Sequence, residues 1–393
     1  MESAVVVGFA RTPFGRFLGV LEPVPAVELG AAAVREALSR AGVAGDRVDQ
    51  VLLGMVIQGG AGQIPSRQAT VKAGLPYTVP SDTINKVCAS GLRAVNFGQA
   101  MIKTGEAGIL VAGGMENMSS GPYMMQGART GYRMGDAEVI DAMVHDGLWC
   151  PFHDVHMGVH GSIVPAEHGI TREAMDEWAL RSHRLAIEAM DSGRLGEEIV
   201  PVEVFHKKRG SQVVDRDELP RRDTSLEKLA KLPPAFEEKG LITAGNAPGI
   251  SDGAAALVLT SRQKAVELGL KPLAEIISTG TASRKPRFIA TVPYEAAAVA
   301  LDRIDLKADQ IDLIEVNEAF AAVVLTSIKL GGWDPDRVNV NGGAVALGHP
   351  IGASGARILL TLIAELHRRG GGYGLATICS GAAQGEATVV KVS

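Results

Sequence analysis

Residues 339–357 read NVNGGAVALGHPIGASGAR, and our interpretation of the fold starts from this stretch. It holds five glycines between positions 341 and 355 and one histidine, His349. A short apolar run at 337–340 precedes it, and a helical pattern at 353–366 follows it. Glycines at a strand-to-helix corner let the backbone approach a ligand closely. A phosphate loop is excluded, because His349 and Pro350 stand where that motif needs Lys and then Ser or Thr. Taken alone, the stretch fits a Gly-rich turn around a packed histidine equally well.

The composition is that of a globular chain with enough residues for two or three domains. Its 393 residues are 46% hydrophobic and 21% charged, with a net charge of −5, which argues against a nucleic-acid partner. The three cysteines are too few and too scattered for a disulfide framework. The apolar runs are too short for a membrane span or a signal peptide. We therefore expect a cytoplasmic protein in a reducing compartment.

Strand and helix patterns alternate along the first part of the chain. Continuous apolar runs predict buried strands at 4–9, 48–53 and 108–112. Helical periodicity predicts the helices between them, at 27–41, 66–73 and 90–104. This alternation is typical of βαβ units and predicts a parallel sheet.

The end of the chain repeats that order. Its predicted strands are 273–278, 311–316, 373–378 and 388–392, and its predicted helices are 294–302, 318–330 and 353–366. The sequence SGLR at 90–93 also matches SGAR at 354–357. We infer an internal duplication, with a first half of residues 1–118 and 250–270 and a second half of residues 271–393. The inserted segment 119–249 carries a predicted helix at 172–192, and a strand at 254–259 returns to the first half.

Cys88 lies just before the helix predicted to start at Ser90. A helix N-terminus favours a thiolate through its dipole and its free N–H groups, so this position predicts a lowered pKa for Cys88. The alternative is a buried, inert cysteine that packs as a small hydrophobe. Cys379, at the end of a predicted strand, has the same alternative.

Asn317, His349 and Cys379 follow three segments of the second half that we predict as strands. Ligands of parallel α/β sheets bind beyond the carboxyl ends of the strands, so we expect these residues to share one site. For Asn317 the alternative is a helix N-cap, a position that suits asparagine.

Five segments resemble those of the thiolase family, which comprises acyl-CoA acetyltransferases and 3-ketoacyl-CoA thiolases. They are NKVCASGLRAV, GNAPGISDGAA, NEAFA, NGGAVALGHPIGASGAR and CSGAAQGEA. The resemblance runs from residue 10 to the C-terminus, and several motifs in one order are far more specific than any of them alone. It implies an α/β fold of two duplicated five-layered α-β-α-β-α halves with an inserted loop domain.

The resemblance also implies roles for individual residues. Cys88 resembles the nucleophile that becomes acylated, and His349 resembles the base that activates it. Cys379 resembles the acid/base that moves the α-proton of acetyl-CoA. Asn317 resembles the residue that positions a water in one oxyanion hole. The backbone N–H groups of Cys88 and Gly381 resemble the second hole.

Coenzyme A contacts are implied in the same way. His156 and Met157 match the pattern beside the acyl pocket, and Arg221 matches the position that stacks on adenine. Pro248 stands where biosynthetic members have a serine that contacts pantetheine, and proline supplies neither that hydroxyl nor an N–H group. The expected set of coenzyme A contacts is His156, Met157, Arg221, Ala244, Pro248 and Phe320. CoA thioesters are expected as substrates and no cofactor as a permanent ligand. A homo-oligomer is implied, a dimer or a dimer of dimers with tetramer contacts at 119–134.

Two further patterns have competing interpretations. Cys150, His153, His156 and His160 are residue types that bind metals, but their spacing matches no structural zinc pattern, so we predict no metal site. The segment 207–231 has eight basic and five acidic residues. It either binds the phosphates of CoA or forms a solvated face, and the sequence does not choose between these.

The favoured function is an acetyl-CoA C-acetyltransferase of fatty acid metabolism. It would interconvert two acetyl-CoA with acetoacetyl-CoA and CoA by Claisen chemistry through an acetyl-Cys88 intermediate. One alternative is a degradative thiolase for longer 3-ketoacyl chains, and another is a non-catalytic acyl-CoA-binding protein. A condensing enzyme that uses a carrier-protein thioester is disfavoured by the second cysteine, Cys379.

Overall fold

The first half of the chain alternates strands with helices, as its periodicity predicts. The computed structural model describes residues 3–206 and 210–393. The elements that precede the inserted segment are β1 (Ala4–Arg11), β2 (Gly15–Arg16), α1 (Ala26–Ala41), β3 (Gln50–Gly54), α2 (Pro65–Lys72), β4 (Ser81–Ile84), α3 (Ser90–Thr104) and β5 (Ile109–Asn117).

The inserted segment has short strands, two longer helices and extended loops. Its elements are β6 (Tyr123–Met124), β7 (Ile140–Asp141), β8 (Trp149–Cys150), β9 (Val155–His156), α4 (Met157–Glu167), α5 (Arg172–Asp191), β10 (Val202–His206), β11 (Gly210–Val214) and α6 (Leu226–Ala230). Afterwards the chain returns to the first half through β12 (Ser251–Ser261) and α7 (Arg262–Glu267). Of the basic segment 207–231, residues 207–209 lie outside the described residues.

The second half repeats the alternation. Its elements are β13 (Ala274–Ser283), α8 (Val292–Asp302), β14 (Leu313–Val316), α9 (Ala321–Gly331), α10 (Ala344–Leu347), α11 (Ser354–Arg368), β15 (Gly372–Ser380) and β16 (Gln384–Val392). Nowhere in residues 3–206 and 210–393 does a helix combine the length and the apolar composition that a membrane crossing needs.

Both halves arrange their strands in the same order. The first half has the order β1-β12-β5-β3-β4, and the second has β13-β16-β15-β14. Strands β1 and β13 pair antiparallel, with Ala4 opposite Ile276, and so join the two sheets. Each of these two strands has a bulge, between Val6 and Gly8 in β1 and between Ile276 and Ser278 in β13. The common order confirms the duplication that the sequence predicts.

Buried apolar clusters fill the spaces between the layers. One cluster lies between α1, α2 and the first sheet, and another lies between α8, α9 and the second sheet. The third contains residues of α3 and α11, which contact each other and strands of both sheets. The order is therefore helices, sheet, helices, sheet, helices. The two halves form these five layers together and share the central helix layer.

The prediction of a parallel sheet is wrong for the strands at the centre. Only β3 with β4 and β5, and β14 with β15, pair in parallel among the named strands of the described residues. Strands β1, β12, β13 and β16 pair antiparallel with their neighbours. Strands β1 and β12 are buried along almost their whole length, and their middle parts are continuous apolar runs. Such runs indicate burial but not direction.

Candidate active site

Cys88 lies in a tight loop between β4 and α3. The hydroxyl of Ser90 donates to the carbonyl of Val87 at 2.6 Å and accepts from the N–H of Lys86 at 2.8 Å. The hydroxyl of Ser380 also donates to the carbonyl of Lys86. Val87 has a φ of 45°, a region that residues with a branched side chain rarely adopt. Contacts from both halves therefore hold Cys88 in a strained, fixed loop.

The backbone of Gly381, in the second half of the chain, lies beside the sulfur of Cys88. The Sγ of Cys88 accepts hydrogen bonds from its own backbone N–H and from that of Gly381. Gly381 starts the turn between β15 and β16, in which Ala382 and Ala383 have φ values of 60° and 55°. A Cβ added to Gly381 would lie 3.2 Å from Cγ2 of Val87, so a larger residue would crowd the loop. Two N–H groups thus converge at the position of the sulfur.

The pKa of the Cys88 thiol is raised, whereas the sequence predicts a lowered value. Burial is the main cause and, with a smaller effect from the charge of Glu116, raises it to about 12, although the two backbone N–H groups lower it. The prediction of a lowered pKa is therefore wrong. The helix start does supply N–H donors, but the loss of water around the sulfur outweighs them.

Cys379 is fully buried near the end of β15, opposite Gly385 of β16. Burial raises the pKa of its thiol well above the ordinary value, and the charge of Cys88 adds to this. That coupling means that the two sulfurs lie within reach of each other's charge. Because both pKa values are raised, both thiols are protonated at neutral pH.

His349 is held in one orientation in the loop between α10 and α11. Its Nδ1 is 2.6 Å from the hydroxyl of Ser354, and that hydroxyl donates to the carbonyl of Pro350 at 2.9 Å. Nδ1 therefore carries the proton, which leaves Nε2 as the basic nitrogen. Burial, with a smaller effect from Arg357, lowers the pKa of His349 to about 3, so the ring is neutral. The position of His349 after a short helix, and not at a strand end, differs from our expectation.

Asn317 directly follows β14 and lies beside His349. Its Nδ2 is 3.5 Å from Nε2 of His349, and its backbone N–H donates to Thr377 at 3.0 Å. Within the described part of the chain, its buried Oδ1 has no hydrogen-bond partner. The interpretation of Asn317 as a helix N-cap is wrong, because α9 begins at Ala321 with Phe320 as its N-cap. The free oxygen and the nearby imidazole instead give Asn317 a place in the shared site.

Comparisons with known proteins identify the family of the chain. The model of the thiolase N-terminal domain matches residues 4–263, and that of the thiolase C-terminal domain matches residues 270–392. The chain belongs to the thiolase family. An acetyl-CoA acetyltransferase of Pseudomonas aeruginosa is 50% identical over 98% of each chain. One of Cupriavidus necator is 48% identical over the whole of both chains. The crystal structure of the Bacillus anthracis acetyl-CoA acetyltransferase is 41% identical and has a TM-score of 0.97, covering 100% of this chain and 99% of that one.

A carboxylate that the sequence analysis missed, Glu116, lies close enough to Cys88 for its charge to act on the thiol. Glu116 is buried at the end of β5 and accepts hydrogen bonds from the N–H groups of Val56, Ile57 and Gly352, at 2.9, 3.1 and 3.0 Å. Burial raises its pKa to about 7. Gly352 belongs to the 339–357 stretch, so Glu116 links this stretch to the first half. The sequence did contain one sign of this buried carboxylate, because Glu116 is a charged residue near the end of an otherwise apolar strand.

Three of the six expected coenzyme A contacts lie in one aromatic cluster. The ring of His156 stacks on Phe236, with centroids 4.1 Å apart, and Phe236 contacts the edge of Phe320 at 6.0 Å. Met157 is buried in the same apolar cluster. Burial lowers the pKa of His156 to about 4, so this ring is neutral. Phe236 was not predicted, because nothing in its local sequence distinguishes it from an ordinary apolar residue.

The other three contacts lie elsewhere along the inserted segment. Ala244 is exposed and Pro248 is half-buried in the loop before β12. That loop reaches His349, because the carbonyl of Gly249 accepts from the N–H of His349 at 3.2 Å. The exposed Arg221 lines an open groove of about 670 Å³ on α5. Arg181, Arg184 and Arg222 also line this groove, which makes it strongly basic.

Proposed function

We propose that the chain is an acetyl-CoA C-acetyltransferase that interconverts two acetyl-CoA with acetoacetyl-CoA and CoA. The observation that carries this proposal is the position of two backbone N–H groups, those of Cys88 and Gly381, at the sulfur of Cys88. The thiol of Cys379 lies close enough to interact with that sulfur. Relatives with that name match the chain over its full length and support the proposal.

Acyl transfer is the first reaction. Nε2 of neutral His349 takes the proton of the Cys88 thiol as Sγ attacks the thioester carbonyl. The bond to the CoA sulfur then breaks, and His349 gives the proton to that sulfur, so CoA leaves as a thiol. The thiol and the imidazole are both neutral at rest, so charge develops only in the transition state. Donors that already point at the place where charge develops stabilise it without reorganisation. The N–H groups of Cys88 and Gly381 serve one oxyanion. Asn317 and His349 serve the other, with a water oriented by the free Oδ1 of Asn317.

The carbon–carbon bond is made or broken in the second reaction. In condensation, Cys379 first passes its proton to Nε2 of His349, and the resulting thiolate takes the α-proton of a second acetyl-CoA. The enolate then attacks acetyl-Cys88, and the released Cys88 sulfur takes the proton back from His349. In thiolysis, Cys379 gives that proton to the departing enolate, and Cys88 keeps the acyl group until CoA accepts it. Because burial raises its pKa, Cys379 rests as a thiol. This is the form that thiolysis needs.

Coenzyme A would span from the basic groove to Cys88 and Cys379. The aromatic cluster of His156, Phe236 and Phe320 would lie beside the acyl group and Arg221 beside the adenine. Ala244 and Pro248 would follow the pantetheine arm. We propose that the segment 119–249 is the domain that supplies these contacts, and that the chain acts in the cytoplasm as a homo-oligomer without a permanently bound cofactor. A thiolase for longer 3-ketoacyl chains remains the second candidate, because Pro248 lacks a serine hydroxyl at this site.

The test is a thiolysis assay with 3-ketoacyl-CoA substrates of increasing length, combined with peptide mapping after incubation with acetyl-CoA. We expect turnover of acetoacetyl-CoA with the highest kcat/KM, and one acetyl group on Cys88. Preference for long chains would favour the second candidate. Acetylation of Cys379 or Cys150, or no acetylation, would contradict the assigned chemistry.

A further inference from the structure

The fold brings together three metal-binding side chains that are apart in sequence. Cys150 lies at the end of β8, His153 in the turn that follows, and His160 in α4. One potential ligand atom from each side chain lies within 4.8 Å of the others. The sequence spacing concealed this group, because a hairpin turn and a helix, and not one short motif, bring its members together.

We propose that Cys150, His153 and His160 form a binding site for a zinc ion. Nδ1 of His153 and Nε2 of His160 are 3.2 Å apart. Two nitrogen ligands at about 2.0 Å from a tetrahedral zinc ion are separated by about 3.3 Å, so these nitrogens already have the spacing of ligand atoms. One thiolate and two imidazoles form a donor set that suits zinc, and three protein ligands leave the fourth position to a water.

The burial of these side chains supports the site. Cys150 is 0% exposed and His160 is 3% exposed, while His153 is exposed, so an ion has a path from solvent through the His153 side. Arg287, whose charge acts on His160, pairs with Glu167, which offsets that charge.

Strand pairing and hydrogen bonds hold the loop around these three side chains in place. Cys150 pairs with Val155 across the hairpin of β8 and β9, and the N–H of Asp154 donates to the carbonyl of Cys150 at 2.9 Å. Asp154 is itself bound by Nε1 of Trp149 at 2.8 Å. His156 does not join the ligands, because it stacks on Phe236 and caps α4. A bound ion would therefore fasten the hairpin to the first turns of α4, directly beside His156.

Metal binding by the full-length protein tests the proposal. After dialysis against a chelator, we expect the chain to bind one equivalent of Zn²⁺ and to release the proton of the Cys150 thiol. Co²⁺ in place of Zn²⁺ should produce the absorption of a thiolate-bound ion. Added Zn²⁺ should also raise the melting temperature, because it binds the folded state.

Variants separate this site from the catalytic cysteines. His153→Ala changes an exposed side chain and should remove both the zinc equivalent and the thiolate–cobalt absorption. His145→Ala, an exposed histidine in the same segment that contacts Asp146, should retain both. Cys88→Ala should also retain both, because its sulfur is not in the site. Binding that survives His153→Ala but is lost in Cys88→Ala would overturn the proposal, as would the absence of stoichiometric binding to the unaltered chain.

Discussion

The sulfur of Cys88 is protonated at neutral pH, because burial raises its pKa to about 12. The fraction of thiolate should then rise about tenfold for each pH unit up to that pKa. We predict that inactivation by iodoacetamide keeps accelerating through pH 10, with the label on Cys88. A thiol with the ordinary pKa of about 8.5 would instead level off near that pH. A plateau below pH 8 would show that the helix start, and not burial, controls this thiol.

Ser354 fixes the tautomer of His349 through the 2.6 Å contact with Nδ1. Ser354→Ala leaves that buried N–H without its partner, a loss of about 1–3 kcal/mol, or roughly 5- to 150-fold in rate. We therefore expect kcat to fall within this range. Ser327→Ala is the matched control, because this buried serine also donates to the carbonyl four residues earlier but lies in α9. Equal losses in both variants would mean that the effect is on folding and not on the histidine.

Side chains were predictable from the sequence where a motif surrounds them. Cys88, His349 and Gly381 lie in Gly-rich segments whose order is specific, and the structure brings them to the same region as Asn317 and Cys379. Glu116 and Ser354 were missed because each acts through backbone groups or through another side chain. Two hydrogen-bond partners of Glu116 lie 60 and 236 residues away from it in the chain. Such distant partners leave no local pattern in a single sequence.

At the scale of elements, the loop before β12 joins the expected pantetheine contacts to His349. Pro248→Ser restores the hydroxyl that biosynthetic relatives are expected to use. A regained hydrogen bond contributes on the order of 1 kcal/mol, so KM for short acyl-CoA should fall while kcat stays near its original value. Pro248→Ala is the control, because it removes the ring without adding a hydroxyl. A raised KM in the serine variant alone would mean that the geometry assumed for this loop is wrong.

Periodicity located most elements to within a few residues. The helix predicted at 27–41 is observed as Ala26–Ala41, and the helix predicted at 90–104 is observed as Ser90–Thr104. The strand β4 was missed, because SDTI is short and polar and forms an edge of the sheet. The antiparallel pairing of β15 and β16 could have been predicted from the length of their connection. Only three residues join these strands, and so short a connection excludes a parallel pair.

At the scale of the whole molecule, a buried ionic network joins the first half to the inserted segment. Arg11 of β1 donates to Glu198 at 2.9 Å and to both oxygens of Asp217, at 2.7 and 2.8 Å. Asp217→Ala should lower the free energy of unfolding by about 3–5 kcal/mol, because it leaves a buried charge without its main partner. Denaturant unfolding measures this loss. Asp191→Ala, which breaks an exposed pair with Arg222, is the control and should change little.

The duplicated fold lets each half contribute one cysteine to a common site. Cys88 comes from the loop before α3, and Cys379 comes from the end of β15. Our account assigns acyl transfer to Cys88 with His349, and movement of the α-proton to Cys379. Acyl exchange between CoA and Cys88 changes no C–H bond, so it should not need Cys379.

The most direct test of this division compares two rates in Cys379→Ala. Thiolysis of acetoacetyl-CoA should fall by about 10²–10⁴-fold or more, the usual cost of losing a general acid or base. Exchange of labelled CoA into acetyl-CoA should persist in this variant, whereas Cys88→Ala should abolish both reactions. If exchange falls in parallel with thiolysis in Cys379→Ala, then Cys379 also serves acylation, and the division of labour between the two halves is contradicted.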